Sequence, residues 1–467
     1  MPTRAPTAAP PRLREHLALS VGTVAMVTLT AFADRAVGTA LPSIVRDLDA
    51  LASFGLANAA PAASFLVTLA FAGAWADRRG PLPVLRTGVV AFGLAQLLVG
   101  LAPTIAVAVV GRLLSGIGEA LVDVSLIVLV ARALPSELRP RIFSLVSAAW
   151  VLPSVLGPVV TGLVTEQLGW RWVFLGVLVL VPPTWLLLRP ALGGALPVSS
   201  GGAAAAGAGW AVAAGVSVLA LTLAGEELTA HPGPAWLVLA GAAALLALAV
   251  ARLLPAGTLR GSAGLPAVIA VRGLVSVAFG AVGAFLPLLL TLLHGFRPSQ
   301  AGVSLTVTGV TWAFGSWVQG RDLPFRRATV LRAGLVAMTA GLAVATLLVV
   351  PGLSPWWGLV GWALAGVGMG ISSSTLSVLM LDLSPDDQQG RNNSAAQTSA
   401  AAAMAVGLAF GGALVAVTAP SPEPAVFAVL LVGGTLAAAL GVLLAGRVAR
   451  PPRRLDRDRD ARSSCGR

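Results

Sequence analysis

Fourteen times between residues 17 and 446 the chain runs for about twenty residues on apolar side chains before a short polar, glycine-rich or proline-rich break. A run of that length matches a helix crossing the hydrocarbon core of a bilayer. The composition agrees, because 57% hydrophobic against 11% charged residues and a mean hydropathy of +0.88 exclude a soluble globule. An all-α integral membrane protein follows.

The net charge of +12 would suggest nucleic acid as a partner of a soluble chain, but here loops on one side of a bilayer account for it. All 31 basic residues are arginine, and an even number of spans leaves both termini on one side. Only Arg46, Arg171 and Arg297 fall on the other side, and Arg35, Arg112 and Arg272 lie well inside apolar runs. The positive-inside rule therefore makes both termini cytoplasmic, in a multi-pass protein of the cell membrane. The seventh and eighth runs, near 208–225 and 235–253, follow a Gly/Ala/Ser-rich linker and are the least patterned. Together they form either two spans or one re-entrant hairpin. Cys465, the single cysteine, allows no internal disulfide.

The fourth run carries charge. Arg112, Glu119 and Asp123 are spaced by seven and then four residues, so at about 100° per residue they lie within roughly 40° of one another on one helical face. A charge at the bilayer centre costs roughly 2.5–3.5 kcal/mol on insertion scales, so such a face turns to a bundle interior or a wet cavity and marks an ion or substrate path.

The runs also repeat in two blocks of six. Gly111-Arg112…Gly116-Ile-Gly118-Glu119 aligns with Gly361-Trp362…Gly366-Val-Gly368-Met369, and Gly73-Ala-Trp75 aligns with Gly315-Ser-Trp317. Where the first block has Arg112 and Glu119, the second has Trp362 and Met369. Charge handling is thus assigned to the first block, in an architecture of parallel halves with a pocket between them.

With these motifs the chain resembles the major facilitator superfamily, and within it the fourteen-span drug:proton antiporters of multidrug efflux and antibiotic resistance. Gly73-xxx-Asp77-Arg78-x-Gly80 is similar to the family's gating loop after the second span, with Pro81-Leu82-Pro83 where a basic run is usual. Arg112-xx-Ser115-Gly116-x-Gly118 resembles the span-four motif whose arginine is implicated in proton coupling. Gly157-Pro158-xxx-Gly162, with Pro153 upstream, resembles the bend of the antiporter motif, which is associated with exporters. Asp34-xxxxx-Ala40-Leu41-Pro42 and Trp170-Arg-Trp172-Val-Phe174 are similar to motifs of the fourteen-span branch. The resemblance implies two six-helix bundles, over 17–190 and 264–446, joined by a linker and two inserted helices over 191–263. A cytoplasmic segment 1–16 and a basic cytoplasmic tail 447–467 flank them.

Proton coupling needs a group that can lose its proton, and arginine cannot, while His16, His231 and His294 sit at span ends or in loops. Asp34, Glu119 and Asp123 remain as the acids within apolar runs. Glu119 is the deepest, about 10 Å along the helix from Arg112, and substrate and proton can compete for its carboxyl. Asp123 either joins it or is solvated at an inner vestibule. Asp34 either marks the outer boundary of the first span or, as the resemblance implies, sits inside it and pairs with Arg112. Arg272 is expected to snorkel to the cytoplasmic side. Trp150 and Trp312 are candidate cavity-lining residues against a plain packing role, and Trp170, Trp172, Trp356 and Trp357 read as an outer interfacial belt.

Neither a Walker loop, a hydrolase motif nor a His/Cys metal spacing is present in the sequence, so no enzyme, metal or cofactor is expected. The expected partners are a small-molecule substrate, protons and the lipid bilayer, with no nucleic acid, in a monomer. An apolar cavity with acids in one half suits amphipathic or cationic compounds exported in exchange for protons. The alternative is a proton-coupled carrier, importer or dedicated exporter, of one metabolite or lipid; a non-transporting membrane sensor is the remote one.

Overall fold

The computed structural model describes residues 17–133, 145, 149, 151–189, 208–227, 231–321, 324–384, 389–419 and 423–448. Among them every regular element is helical. Six helices form the first half: α1 Leu17–Asp47, α2 Phe54–Arg79, α3 Pro81–Gly100, α4 Ile105–Ala133, α5 Val151–Gln167 and α6 Arg171–Leu188. Two follow, α7 Ala208–Glu226 and α8 Pro232–Leu253, packed against each other and each long and apolar enough to cross a membrane. The second half comprises α9 Leu265–His294, α10 Pro298–Gln319, α11 Arg327–Ala345, α12 Pro355–Asp382, α13 Gln389–Thr418 and α14 Pro424–Val448.

Among the described residues, twelve helices are long and apolar enough to cross a membrane. The two that fall short are α5, described over seventeen residues, and α10, where Ser299, Gln300, Ser304, Thr306, Thr308, Thr311, Ser316 and Gln319 lower the hydropathy. Those hydroxyls bond within the chain: Thr306 Oγ1 donates to Val155 O at 2.8 Å and Thr308 Oγ1 to Ser304 O at 2.8 Å. A polar helix is tolerated there because its hydroxyls are satisfied by backbone carbonyls.

Local chemistry sets the helix ends. Proline stands at the first or second position of α3, α8, α9, α10 and α12, where its fixed φ suits the first turn and its missing N–H costs nothing. Gly80, at φ +83, makes the break between α2 and α3, and Gly295, at φ +64, ends α9 in the left-handed conformation.

Lipid tails are as apolar as leucine, so burial alone gives helices little reason to associate and close packing of small residues decides which ones meet. The repeated glycines act this way. A methyl at Gly118 would strike the Phe92 backbone of α3, and one at Gly368 the Met338 backbone of α11. At Gly116 it would strike the Pro61 carbonyl of α2, and at Gly366 the Thr311 side chain of α10. The fourth helix of each half thus lies against the second and third of the same half. The remaining contacts repeat too: α1 packs on α5 and α6 as α9 packs on α13 and α14.

The halves meet along two seams, the second helix of each against the fifth of the other. On the α5–α10 seam, Gly162 lies against Ser299, Gly302 against the Pro158 carbonyl and Gly309 against the Ser154 carbonyl. On the α2–α13 seam Gly55 meets Gly412, and beside it Phe54 packs against Phe285 of α9 at 5.3 Å between ring centroids. Asp47, at the C-terminal end of α1, defines the far end of the bundle, and these contacts run from that end to the middle. Both seams are thus packed toward the far end. α7 lies over the second seam, with Gly215 against Ala63 and Val67 of α2 and Gly225 against Ala413 of α13, and Ser53 Oγ bonds Glu226 Oε2 at 3.0 Å.

Candidate functional site

A cavity of about 580 Å³ lies between the halves. From the first half Asp34, Arg35, Asn58, Arg112, Glu119 and Asp123 border it, and from the second Phe279, Trp312, Trp362, Met369, Gln397 and Met404. The helical spacing in α4 turns its charged residues to this side, because its other faces are taken up by the close approaches to α2 and α3. Asp34, Arg112 and Asp123 all lie within electrostatic range of Glu119. Arg112 is 6% exposed and its Nε donates to the Ala57 carbonyl at 3.4 Å, which ties α4 to α2. Ser64 Oγ, about two turns along α2 from Ala57, donates to Leu113 O at 2.7 Å.

Asp34 is inside the bundle, not at its boundary, and its ion pair among the described residues is with Arg35 at 3.9 Å. The expected direct pairing with Arg112 is replaced by a longer-range attraction, since the Arg112 guanidinium turns to a backbone carbonyl. Among the described residues, three carboxylates and two guanidiniums border the cavity, an excess of one negative charge when all are ionised.

The second half contributes an aromatic wall. Phe279 stacks on Trp362, with centroids 4.6 Å apart and planes 7° from parallel, and meets Trp312 edge-on at 6.2 Å and 86°. Phe279 lies in a π turn over Ser276–Ala281, a local widening of α9 next to the cavity. Ser276 Oγ braces that turn on Ala400 O of α13 at 2.9 Å.

The antiporter-motif residues Pro153, Gly157, Pro158 and Gly162 all lie in α5. Pro158 borders the cavity and presents its carbonyl to Gly302, and Gly162 meets α10 directly, so the motif occupies the α5–α10 seam. Gly157 faces Phe32 and Arg35 of α1 at ordinary contact distance. In the gating loop, Gly73 has open space around it, Arg78 is exposed and Gly80 forms the turn. The Asp77 side chain and Trp150 lie outside the described residues.

Two expectations need correction. Arg272 does not snorkel: its guanidinium donates to Ser373 O at 3.4 Å, Ser377 Oγ at 3.2 Å and Gln397 Oε1 at 3.3 Å, joining α9 to α12 and α13. Acceptors supplied by neighbouring helices within the bundle replace headgroups. Trp170 is not in the outer belt; it is 4% exposed, because its Nε1 donates to Asp47 Oδ2 at 3.0 Å while Arg171 sits over its ring and bonds the same carboxylate at 2.8 Å. Trp172, Trp356 and Trp357 are exposed, as an interfacial belt requires.

Asn58, Phe279 and Trp362 were not singled out as cavity residues from sequence. Trp362 carried a signal, its alignment with Arg112. Phe279 had none, since nothing in Ser276–Ala281 announces a π turn.

At the far-end rim the Glu166 carboxylate, just beyond the apolar run of α5, accepts from Ser299 N–H at 2.8 Å across the seam. Hydrogen bonds from Ser299 hold this carboxyl below the usual carboxylate range against a smaller opposing effect of burial, and the attraction of Arg297 adds the least.

Comparison with known proteins bears on the whole chain. Residues 23–321 and 321–465 match the model of the Major Facilitator Superfamily. A Mycobacterium tuberculosis protein named "Probable multidrug-efflux transporter" is 30% identical over 397 residues, covering 79% of this chain and 81% of the relative. The "Methylenomycin A resistance protein" of Streptomyces coelicolor is 30% identical over 410 residues, covering 84% of this chain and 83% of the relative. Among solved structures, a POT family transporter in complex with 5-aminolevulinic acid superposes with a TM-score of 0.68 at 14% identity, over 94% of this chain and 97% of that one. With paired six-helix halves about a central cavity and a family match along nearly its entire length, the chain belongs to the Major Facilitator Superfamily.

Proposed function

We propose that this transporter exports amphipathic or cationic small molecules, drugs or antibiotics among them, in exchange for protons by alternating access. The observation that carries this reading is the single excess negative charge of the described residues bordering the cavity, held by the acids of one half opposite an aromatic wall of the other. A bare carboxylate enclosed between the halves is costly, whereas one neutralised by a bound cation or a proton is not. The halves therefore rock only when the cavity holds one or the other, which makes exchange obligatory. One proton balances one monovalent cation.

In this reading the chain makes fourteen crossings of the cell membrane as a monomer, with both termini cytoplasmic and the closed far end outside. Cargo enters from the cytoplasm against ionised Glu119, assisted by Asp34 and Asp123, and is released outside as a proton takes its place. Arg112 positions the acid helix through α2, Asp77 and Gly80 control closure of the cytoplasmic side, and the α5 bend seals the seam. The names of the multidrug and methylenomycin-resistance relatives support export. A narrower reading, a dedicated exporter of one antibiotic or metabolite, is favoured by the second of those names alone.

Uptake of ethidium into inverted membrane vesicles, interior acidic, tests the proposal. Gradient-driven uptake by the wild type and none by Glu119→Gln supports it. Full uptake by the variant moves coupling to Asp34 or Asp123, and no uptake by the wild type overturns the broad cargo class in favour of the narrower one.

A further inference from the structure

Arg272 is a cation within the bundle whose acceptors, Ser373 O, Ser377 Oγ and Gln397 Oε1, are all neutral. Among the described residues no carboxylate pairs with it. A charge at membrane depth without a counter-ion is costly, and packing alone does not account for keeping one. Nor is it sealed in. Arg272 is half-buried, Ser377 and Gln397 are exposed, and Gln397 borders the cavity.

The duplication of the halves fixes what stands opposite. Each seam joins the second helix of one half to the fifth of the other, the reciprocal pattern of an approximate twofold axis running between them. The register agrees: Gly162 meets Ser299 on one seam, and Gly412, as far from Gly162 in sequence as Gly361 is from Gly111, meets Gly55 on the other. Corresponding positions of α4 and α12 therefore lie at equal depth on opposite sides of the axis, and the pairs Arg112 and Trp362, Glu119 and Met369 all border the cavity. Asp123, four residues after Glu119, corresponds to Ser373, four residues after Met369. Ser373 is the residue whose carbonyl holds Arg272. Opposite charges thus stand at one level of the two halves, Asp123 on the cavity side of α4 and Arg272 between α12 and α13.

The seam contacts run from the far end to the middle of the bundle, and both charges lie beyond them on the cytoplasmic side. We propose that Arg272 is a gating residue: as the cytoplasmic mouth closes, its guanidinium exchanges its neutral acceptors for the Asp123 carboxylate, and this ion pair holds the mouth shut. The inference rests on the alternating-access reading and adds the contact that stabilises its other state. Closure brings α4 toward α12 and α13 and expels water from the mouth, which strengthens the attraction just when the two groups meet. The long arginine side chain supplies the reach, and its planar fork suits a carboxylate better than three scattered oxygens.

The test is a double-mutant cycle on full-length protein in lipid nanodiscs, with spin labels at Ile127 of α4 and Leu381 of α12 in a chain carrying Cys465→Ser. Both labelled positions are exposed, and closure of the mouth shortens the distance between them. The ratio of short to long distances is read with and without ethidium. Asp123→Asn and Arg272→Gln should each lower it about fivefold, and the double variant should fall no further than either single one. Arg272→Lys keeps the charge and should stay within about twofold of the wild type. Asp123→Asn leaves every bond of Arg272 in place, so its effect is independent of any folding defect at Arg272. No change with Asp123→Asn, effects that multiply in the double variant, or an Arg272→Lys loss equal to that of Arg272→Gln overturns the gate pair. A single long distance in the wild type, with and without ethidium, overturns the alternating-access reading itself.

Discussion

The two halves repeat each other in packing and differ at the cavity. Gly118 and Gly368 serve the same close approach, as do Gly116 and Gly366, yet the residues one position after Gly111 and Gly361, and after Gly118 and Gly368, are Arg112 and Glu119 on one side and Trp362 and Met369 on the other. All four border the same cavity. The packing faces of a helix and its cavity face lie on different angular sectors, so a duplicated helix can keep the first while the second changes. One half became the ionisable partner and the other the apolar one.

The largest expected effect comes from erasing that difference. Glu119→Met gives the first half the residue of the second, and proton-driven cargo flux in inverted vesicles should fall to the level seen without a gradient. Retained flux would end the division of labour between the halves. Next in size is Arg272→Met, which removes charged donors tying α9 to α12 and α13; loss of about 1.5–3 kcal/mol of stability is expected, read as a lower melting temperature in detergent. The corresponding loss in the first half, Arg112→Met, should abolish transport as well as reduce stability.

The seams offer a finer test. Gly302→Leu forces a side chain against the Pro158 carbonyl, and overpacking of roughly 1–3 kcal/mol should open the far end, raising labelling of seam cysteines from outside. The same change at Gly433, which is exposed and has nothing within 4 Å of an added methyl, should have little effect.

The smallest effect concerns pH. The Glu166 carboxyl is held low while it accepts from Ser299, so its contribution to far-end closure is complete above about pH 4.3, the ordinary glutamate value, and fades as the pH falls through the lowered one. Distances between spin labels at Leu168 and Leu353, in a chain with Cys465→Ser, should lengthen on acidification. Glu166→Gln should flatten this response and shift closure by about twofold, as befits an exposed contact.

Much of the site was legible because helical periodicity is local. The seven-and-four spacing in α4 requires only the 3.6-residue turn to bring Arg112, Glu119 and Asp123 to one side, and the glycine repeat exposes the duplication. Arg272 and Trp170 were misjudged for one reason: snorkelling for an arginine in an apolar run, and an interfacial position for a tryptophan at a span end, are the defaults until a neighbouring helix supplies a carboxylate or carbonyl. Phe279 and Asn58 had no local mark at all.

By itself the sequence determined that the chain is a helical membrane protein with a duplicated core and one charged helix, since hydropathy, spacing and repeats are properties of single segments. Only the tertiary structure decided which residues share the cavity, that α7 covers one seam and that Trp362 is, among the described residues, a donor without a partner. Those are relations between helices distant in the chain, set by how closely their small residues allow them to approach.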